Sequence, residues 1–109
     1  MSDATAKMKQ KALAVKALYV ALNTKNGRPA WMADDYMAGF IGDVGDLSKL
    51  IMAKKGIRSI DDVDQKIKHE LSDCLWSLYV IADELGIDLE AEFVTNMDDL
   101  AVRIEKKGY

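Results

Sequence analysis

Apolar residues recur at intervals of three and four along four segments of the chain. This spacing places them on one face of an α-helix, whereas a strand would alternate apolar and polar positions. Turn residues separate the segments, including NTKNGRP at 23–29 and the glycines Gly56 and Gly86. The first predicted helix covers residues 3–22, with Ser2 or Asp3 as N-cap, and the second runs from about Trp31 to a stop at Gly56. The third covers about 60–85, after a capping signal at Ser59 and Asp62, and Asp88 caps the fourth. No segment has the pattern of a strand, so the predicted fold class is all-α.

The third predicted helix is apolar on more than one side. Its main stripe runs through Leu71, while Trp76, Tyr79 and Val80 extend the apolar surface around the helix. Four helices of this length predict an antiparallel four-helix bundle. Because one chain can hardly cover the third helix on all sides, we expect a homodimer or homotetramer to complete the bundle.

Composition restricts the class of protein. The chain has 109 residues, treated as one domain over 1–109, with 50% apolar and 30% charged residues, and a net charge of −3 that argues against binding nucleic acid. The longest apolar run, residues 75–82, is too short to cross a membrane, and the N-terminus lacks the apolar core of a secretory signal, so a cytoplasmic location is expected. The single cysteine, Cys74, excludes an internal disulfide.

Three glycines occur in GFIGDVGDLSKLI, residues 39–51. A phosphate-binding glycine loop needs a strand before it, and here the glycines lie inside an apolar helical pattern, so that interpretation fails. Each glycine costs a helix about 1 kcal/mol relative to alanine. Either a close approach to the backbone or a local distortion of the helix would account for them.

The same helix carries one of two pairs of carboxylates spaced three residues apart. Asp43 and Asp46 project from one side of the second helix, as Glu70 and Asp73 do from the third. If the helices pack antiparallel, the four acids face one another and need cations, and oxygen-only ligands favour Mg²⁺, with Mn²⁺ as the second choice. The other interpretation is that the acids are solvated or paired with lysines such as Lys49 and Lys66.

The two acidic motifs resemble those of the MazG-like all-α nucleoside triphosphate pyrophosphohydrolases, whose pattern is Glu-Glu-x-x-Glu followed by Glu-x-x-Asp on the next helix. Residues 42–46, GDVGD, and 70–73, ELSD, occupy the two motifs. The flanking sequences HELSDCLWSLYVIADELGIDL and NMDDLAVRIEKKGY are also similar to the family, so the resemblance covers about residues 31–109. Two positions differ, because Gly42 replaces the first glutamate and Asp99 replaces a lysine of the C-terminal helix.

The resemblance implies Mg²⁺-dependent cleavage of an NTP or dNTP to the monophosphate and pyrophosphate. It implies that Asp43, Asp46, Glu70 and Asp73 hold the metal, with Glu70 and Asp73 as the catalytic residues. Candidate substrate-binding residues are Asn96, Arg103, Lys54 and Trp31, and further phosphate-binding candidates are Lys55 and Arg58.

Several of these residues also have a purely structural interpretation. Lys54 and Lys55 also suit the C-terminal dipole of a helix. Trp76 suits core or subunit packing, and His69 a surface or hydrogen-bonded position. For the whole chain, the second hypothesis is a catalytically weak relative that binds nucleotide or metal, or serves as a helical interaction module.

Overall fold

A computed structural model describes residues 3–107 of the chain and contains four α-helices. They are α1 (Asp3–Lys25), α2 (Ala33–Lys54), α3 (Val63–Glu84) and α4 (Leu89–Lys107). No strand occurs in this part of the chain, which confirms the predicted all-α class. The predicted N-cap at Ser2 lies outside the described residues, as do the last two residues, Gly108 and Tyr109.

Local chemistry sets the ends of three of these helices. Gly56 and Gly86 follow α2 and α3 with φ of 83° and 68°, and this left-handed conformation, which suits glycine, stops both helices where predicted. Asp88 caps α4 as predicted, because its Oδ1 accepts a hydrogen bond from the Ala91 N–H at 3.2 Å. α3 starts at Val63, later than predicted, because Asp62 has a φ of 53° that cannot continue a helix backwards.

The most extensive packing joins α2 and α3 into an antiparallel hairpin. Lys54 in the last turn of α2 pairs with Asp64 in the first turn of α3, as expected for helices that run in opposite directions. Tyr36 and Leu50 of α2 and Tyr79 of α3 are buried, and Val80 has no exposed surface. The acidic residues lie on this hairpin.

α1 lies against α3 through a smaller set of contacts. The Trp76 indole N–H donates to the Ala12 carbonyl oxygen at 3.0 Å, and the Lys16 ammonium lies 2.8 Å from a carboxylate oxygen of both Asp83 and Glu84. These contacts fix α1 along one side of the hairpin. The end of α1 consequently forms a wall beside Trp76.

One chain does not close a compact bundle. α4 has no buried residue, and the radius of gyration is 17.1 Å, against about 13 Å for a compact domain of this length. The accessible surface is 8189 Å², whereas a compact monomer of this mass would expose about 6,000 Å². Leu71, Leu75 and Leu78 of α3 remain partly exposed. The four helices are confirmed, while their closure into an antiparallel bundle by a second copy stays a prediction.

The glycines of α2 differ in what lies beside them. α2 continues as one helix from Ala33 to Lys54, and a Cβ added at Gly39 would lie 3.9 Å from the Trp31 ring, in ordinary contact. A Cβ added at Gly42 or Gly45 would meet nothing within 4 Å outside its own stretch of helix, so the side of α2 that carries these two glycines is open. Separately, none of the helices in residues 3–107 combines the length and the apolar character needed to cross a membrane.

Candidate functional site

Three carboxylates from α2 and α3 converge in the middle of the hairpin. Asp43, Asp46 and Glu70 each offer an oxygen, and these oxygens all lie within 4.8 Å of one another. Asp43 and Asp46 are neighbours because they are three residues apart on a helix, and the antiparallel packing of α3 brings Glu70 opposite them. We refer to these three residues as the acidic cluster.

Glu70 has the least satisfied carboxylate of the acidic cluster. Its Oε2 is buried and has no hydrogen-bond partner among the described residues. Burial raises the pKa of Glu70, and the negative charges of Asp43, Asp73 and Asp46 raise it further, while His69 acts in the opposite direction. Burial likewise raises the pKa of Asp43, with added contributions from Asp73 and Asp46. A cation between these oxygens would remove both penalties.

Asp73 lies beside the acidic cluster and contributes to its field, but it is not one of the three residues whose oxygens converge. Its Oδ2 is 3.4 Å from Nε2 of His69, one turn earlier on α3. The His69 side chain is exposed, which agrees with the surface position expected for it. Asp73 is therefore placed to bind a cation only from the edge of the site, or to hold His69.

The alternative interpretation paired the acids with lysines such as Lys49 and Lys66. Within residues 3–107, neither Lys49 nor Lys66 forms an ion pair with a carboxylate. Solvation remains a sufficient explanation for Asp46, which is exposed. It does not explain Glu70, whose free oxygen is shielded from water.

An aromatic cavity of about 340 Å³ adjoins the acidic cluster at Asp43. Its walls come from α1, from the segment between α1 and α2, and from the hairpin. The Trp31 and Tyr36 rings meet edge-on at 5.4 Å between centroids, as do Tyr36 and Trp76 at 6.1 Å. The Tyr19 and Trp76 rings are tilted by 57° with their centroids 5.6 Å apart. The lining residues are Tyr19, Leu22, Asn23, Arg28, Trp31, Tyr36, Gly39, Asp43, Trp76 and Ser77. The cavity thus combines flat apolar walls with a few polar groups, as small-molecule sites do.

Both tryptophans contribute to this cavity. Trp31 is 48% exposed and lines the cavity, so part of its side chain is accessible to a ligand there. Trp76 packs on Tyr19 and Tyr36 and donates to Ala12, which confirms the packing role expected for it. Its ring also faces the cavity.

The remaining candidate binding residues lie elsewhere. Lys54 is eight residues beyond Asp46, about 12 Å along α2, and is paired with Asp64. Asn96 lines a groove formed by residues of α4 alone, and Arg103 is exposed on the same helix. α4 has no buried residue, and neither Asn96 nor Arg103 lines a cavity that touches the acidic cluster.

Sequence reasoning singled out Trp31, Asp43 and Trp76 but did not place them in one cavity with Tyr19, Asn23, Arg28 and Tyr36. Tyr19 and Asn23 of α1 reach Trp76 only because α1 packs against α3. The signal available in the sequence was limited to Arg28 and Trp31 in the segment between the first two helices. Comparison of the chain with protein-family models, with curated proteins and with solved structures gives no match.

Proposed function

We propose that this protein is a divalent-cation-dependent nucleoside triphosphate pyrophosphohydrolase of the MazG-like type. The observation that carries the proposal is the acidic cluster, in which three carboxylates converge and one oxygen of Glu70 is buried without a partner. Water would attack the α-phosphorus of an NTP or dNTP, the bond from that phosphorus to the bridging oxygen would break, and pyrophosphate would leave. The products are the nucleoside monophosphate and pyrophosphate, and a house-cleaning role in the cytoplasm belongs to the same proposal.

The residues present fit a hard divalent ion. All three converging ligands are oxygens, as Mg²⁺ and Mn²⁺ prefer, and neither Lys49 nor Lys66, the lysines nearest to them on the two helices, forms an ion pair with them within residues 3–107. Asp43, Asp46 and Glu70 would hold the ion, with Asp73 at the edge. When bound, Mg²⁺ neutralises phosphate charge and lowers the pKa of a water molecule. Glu70 and Asp73 are the proposed catalytic residues. Their carboxylate oxygens would lie close to the attacking water and accept its proton.

The nucleoside part of the substrate would bind in the aromatic cavity. Asp43 belongs to both the cavity and the acidic cluster, so a nucleoside in the cavity would present its phosphates to the carboxylates. The exposed face of Trp31 is suited to stacking on a base, and Asn23 and Arg28 offer hydrogen bonds to its edge or to the sugar.

Replacing Trp31 with alanine should raise KM for the preferred nucleotide about tenfold, because stacking of a base on an aromatic ring is worth about 1–3 kcal/mol. The turnover number should change less, since the acidic cluster is untouched. Steady-state kinetics with Met32→Ala as the matched control would measure the effect, because Met32 is 65% exposed and does not line the cavity. An unchanged KM in Trp31→Ala would remove the stacking assignment.

The second candidate is a relative that binds nucleotide or metal without turnover. Gly42 favours it, because this position provides no carboxylate to orient or deprotonate the water. Incubation of the purified protein with a panel of NTPs and dNTPs, with Mg²⁺ and then Mn²⁺, separates the two candidates. Release of pyrophosphate supports the enzyme, and its absence across the panel supports the binding module.

The proposal includes assembly with a second copy of the chain. The chain exposes about 2,000 Å² more surface than a compact monomer would, and this excess per chain is enough for an obligate interface. Phe93 of α4 is 60% exposed, and Leu71 of α3 is 53% exposed. Both are large apolar side chains that a second copy would cover.

Asn96, Arg103 and Lys54 remain predicted substrate-binding residues.

We expect light scattering to give a mass of two or four chains, each of 12.1 kDa. Phe93→Glu should lower that mass, because it places a charge in the proposed interface without disturbing a residue buried in one chain. Asp98→Asn, an exposed polar change on the same helix, is the control. A wild-type mass equal to one chain would contradict the assembly.

A further inference from the structure

A second cavity touches the acidic cluster at Asp46 and Glu70. Its volume is about 230 Å³, and it is lined by Asp46, Lys49, Leu50, Ile60, Lys66 and Glu70. None of these residues lines the aromatic cavity, whose link to the cluster is Asp43. The acidic cluster therefore borders two cavities through different residues, an aromatic cavity and one that contains two lysines.

The two lysines come from different helices and meet only in the folded hairpin. Lys49 is three residues after Asp46 on α2, and Lys66 is four residues before Glu70 on α3, so each lysine lies about one helical turn from a residue of the acidic cluster. Neither forms an ion pair with an acid of the described residues. Their positive charges are consequently available to an anion.

The order of the aromatic cavity, the acidic cluster and the lysine cavity matches the order of chemical groups along a nucleoside triphosphate. One end of that molecule is an aromatic base, and the other is a chain of phosphates with several negative charges. Lysine binds such phosphates as a compact point charge, and the carboxylates between the two cavities would share the cation that the phosphates carry. A substrate with its base on Trp31 would extend past Asp43 toward the lysines.

We propose that Lys49 and Lys66 form a subsite for the pyrophosphate end of a nucleoside triphosphate, in the cavity that they share with Asp46 and Glu70. This inference rests on the proposed function for the identity of the ligand and adds the direction in which the substrate lies. The β- and γ-phosphates occupy the lysine cavity, the α-phosphate lies over the acidic cluster, and pyrophosphate is the product that the lysines retain. None of the previously predicted phosphate-binding residues is required at this subsite.

Titration calorimetry with inorganic pyrophosphate in the presence of Mg²⁺ tests the subsite without requiring turnover. Lys49→Met and Lys66→Met should each weaken pyrophosphate binding about tenfold, and the double variant should weaken it roughly a hundredfold. Binding of a nucleoside monophosphate should be unchanged. Lys68→Met is the matched control, because Lys68 is an exposed lysine of α3 that does not line this cavity. Circular dichroism would show that each variant keeps its helices.

The result that would contradict the pyrophosphate subsite differs from the result that would contradict the proposed enzyme. If the wild type hydrolyses nucleotides but the double variant binds pyrophosphate normally, the subsite is wrong and the enzyme stands. If no nucleotide is hydrolysed while pyrophosphate binding depends on the two lysines, the subsite stands and the enzyme is removed. A wild type that binds no pyrophosphate overturns the subsite. So would a double variant that loses pyrophosphate only because it no longer binds Mg²⁺, which a titration with the metal alone would reveal.

Discussion

Glu70→Gln is expected to lower the rate of nucleotide hydrolysis by roughly a thousandfold, a loss of about 4 kcal/mol of transition-state stabilisation. Glutamine keeps the size of the side chain but has neither the negative charge to hold a cation nor the basicity to accept a proton. The rate would be measured as pyrophosphate released from the nucleotide that the panel identifies.

The same substitution should leave the fold intact. Glu70 has a buried oxygen without a partner and lies among other carboxylates, so removing its charge removes repulsion. We therefore expect a melting temperature in the absence of metal that is equal to or above that of the wild type. Glu105→Gln, an exposed position on α4, is the control and should retain full activity. Unchanged kinetics in Glu70→Gln would show that the acidic cluster is not the catalytic site.

The second large effect concerns stability. Mg²⁺ or Mn²⁺ should raise the melting temperature near pH 7, because the ion binds the folded cluster and not the separated carboxylates of the unfolded chain. A concentration one hundred times the dissociation constant stabilises the folded state by about 2.7 kcal/mol, which is roughly 10 °C for a domain of this size. Thermal melts at matched ionic strength would measure it. NaCl alone, which screens charge without ligation, should give a much smaller shift.

Acidification should stabilise the metal-free protein relative to the Glu70→Gln variant. The pKa of Glu70 is higher in the folded chain than its ordinary value of 4.5, so the folded state takes up its proton first as the pH falls. The stability that the proton provides is fully present below the ordinary value and is lost as the pH rises through the raised one. Asp43 titrates in the same direction. Protons and the metal ion compete for the same oxygens, so the stabilisation by Mg²⁺ should shrink as the pH falls.

These two effects are separable from the assembly of chains. Glu70→Gln should lose most of the metal-induced shift while keeping the mass of the wild type. A metal effect that is equal in both proteins would locate the ion elsewhere. A metal effect that appears only together with a change in mass would instead assign the ion to the contact between chains.

The amino-acid sequence by itself determined the helices and the pairing of acids. Apolar spacing predicted all four helices, glycine and aspartate chemistry predicted several of their ends, and three-residue spacing placed Asp43 next to Asp46. These are local properties, because helix periodicity and caps depend on residues within one or two turns. The start of α3 was misplaced because a left-handed backbone at Asp62 is not visible in the pattern.

Only the tertiary structure decided which distant residues meet. The packing of α3 on α2 brought Glu70 to the acidic cluster and left Asp73 at its edge, and the position of α1 beside Trp76 created the aromatic cavity. The meeting of Lys49 and Lys66 in one cavity follows from the same hairpin. Such contacts depend on the rotation and register of one helix against another. The spacing of residues within a single helix does not determine either. The sequence therefore determined which side chains each helix carries, and the packing determined which of them lie together.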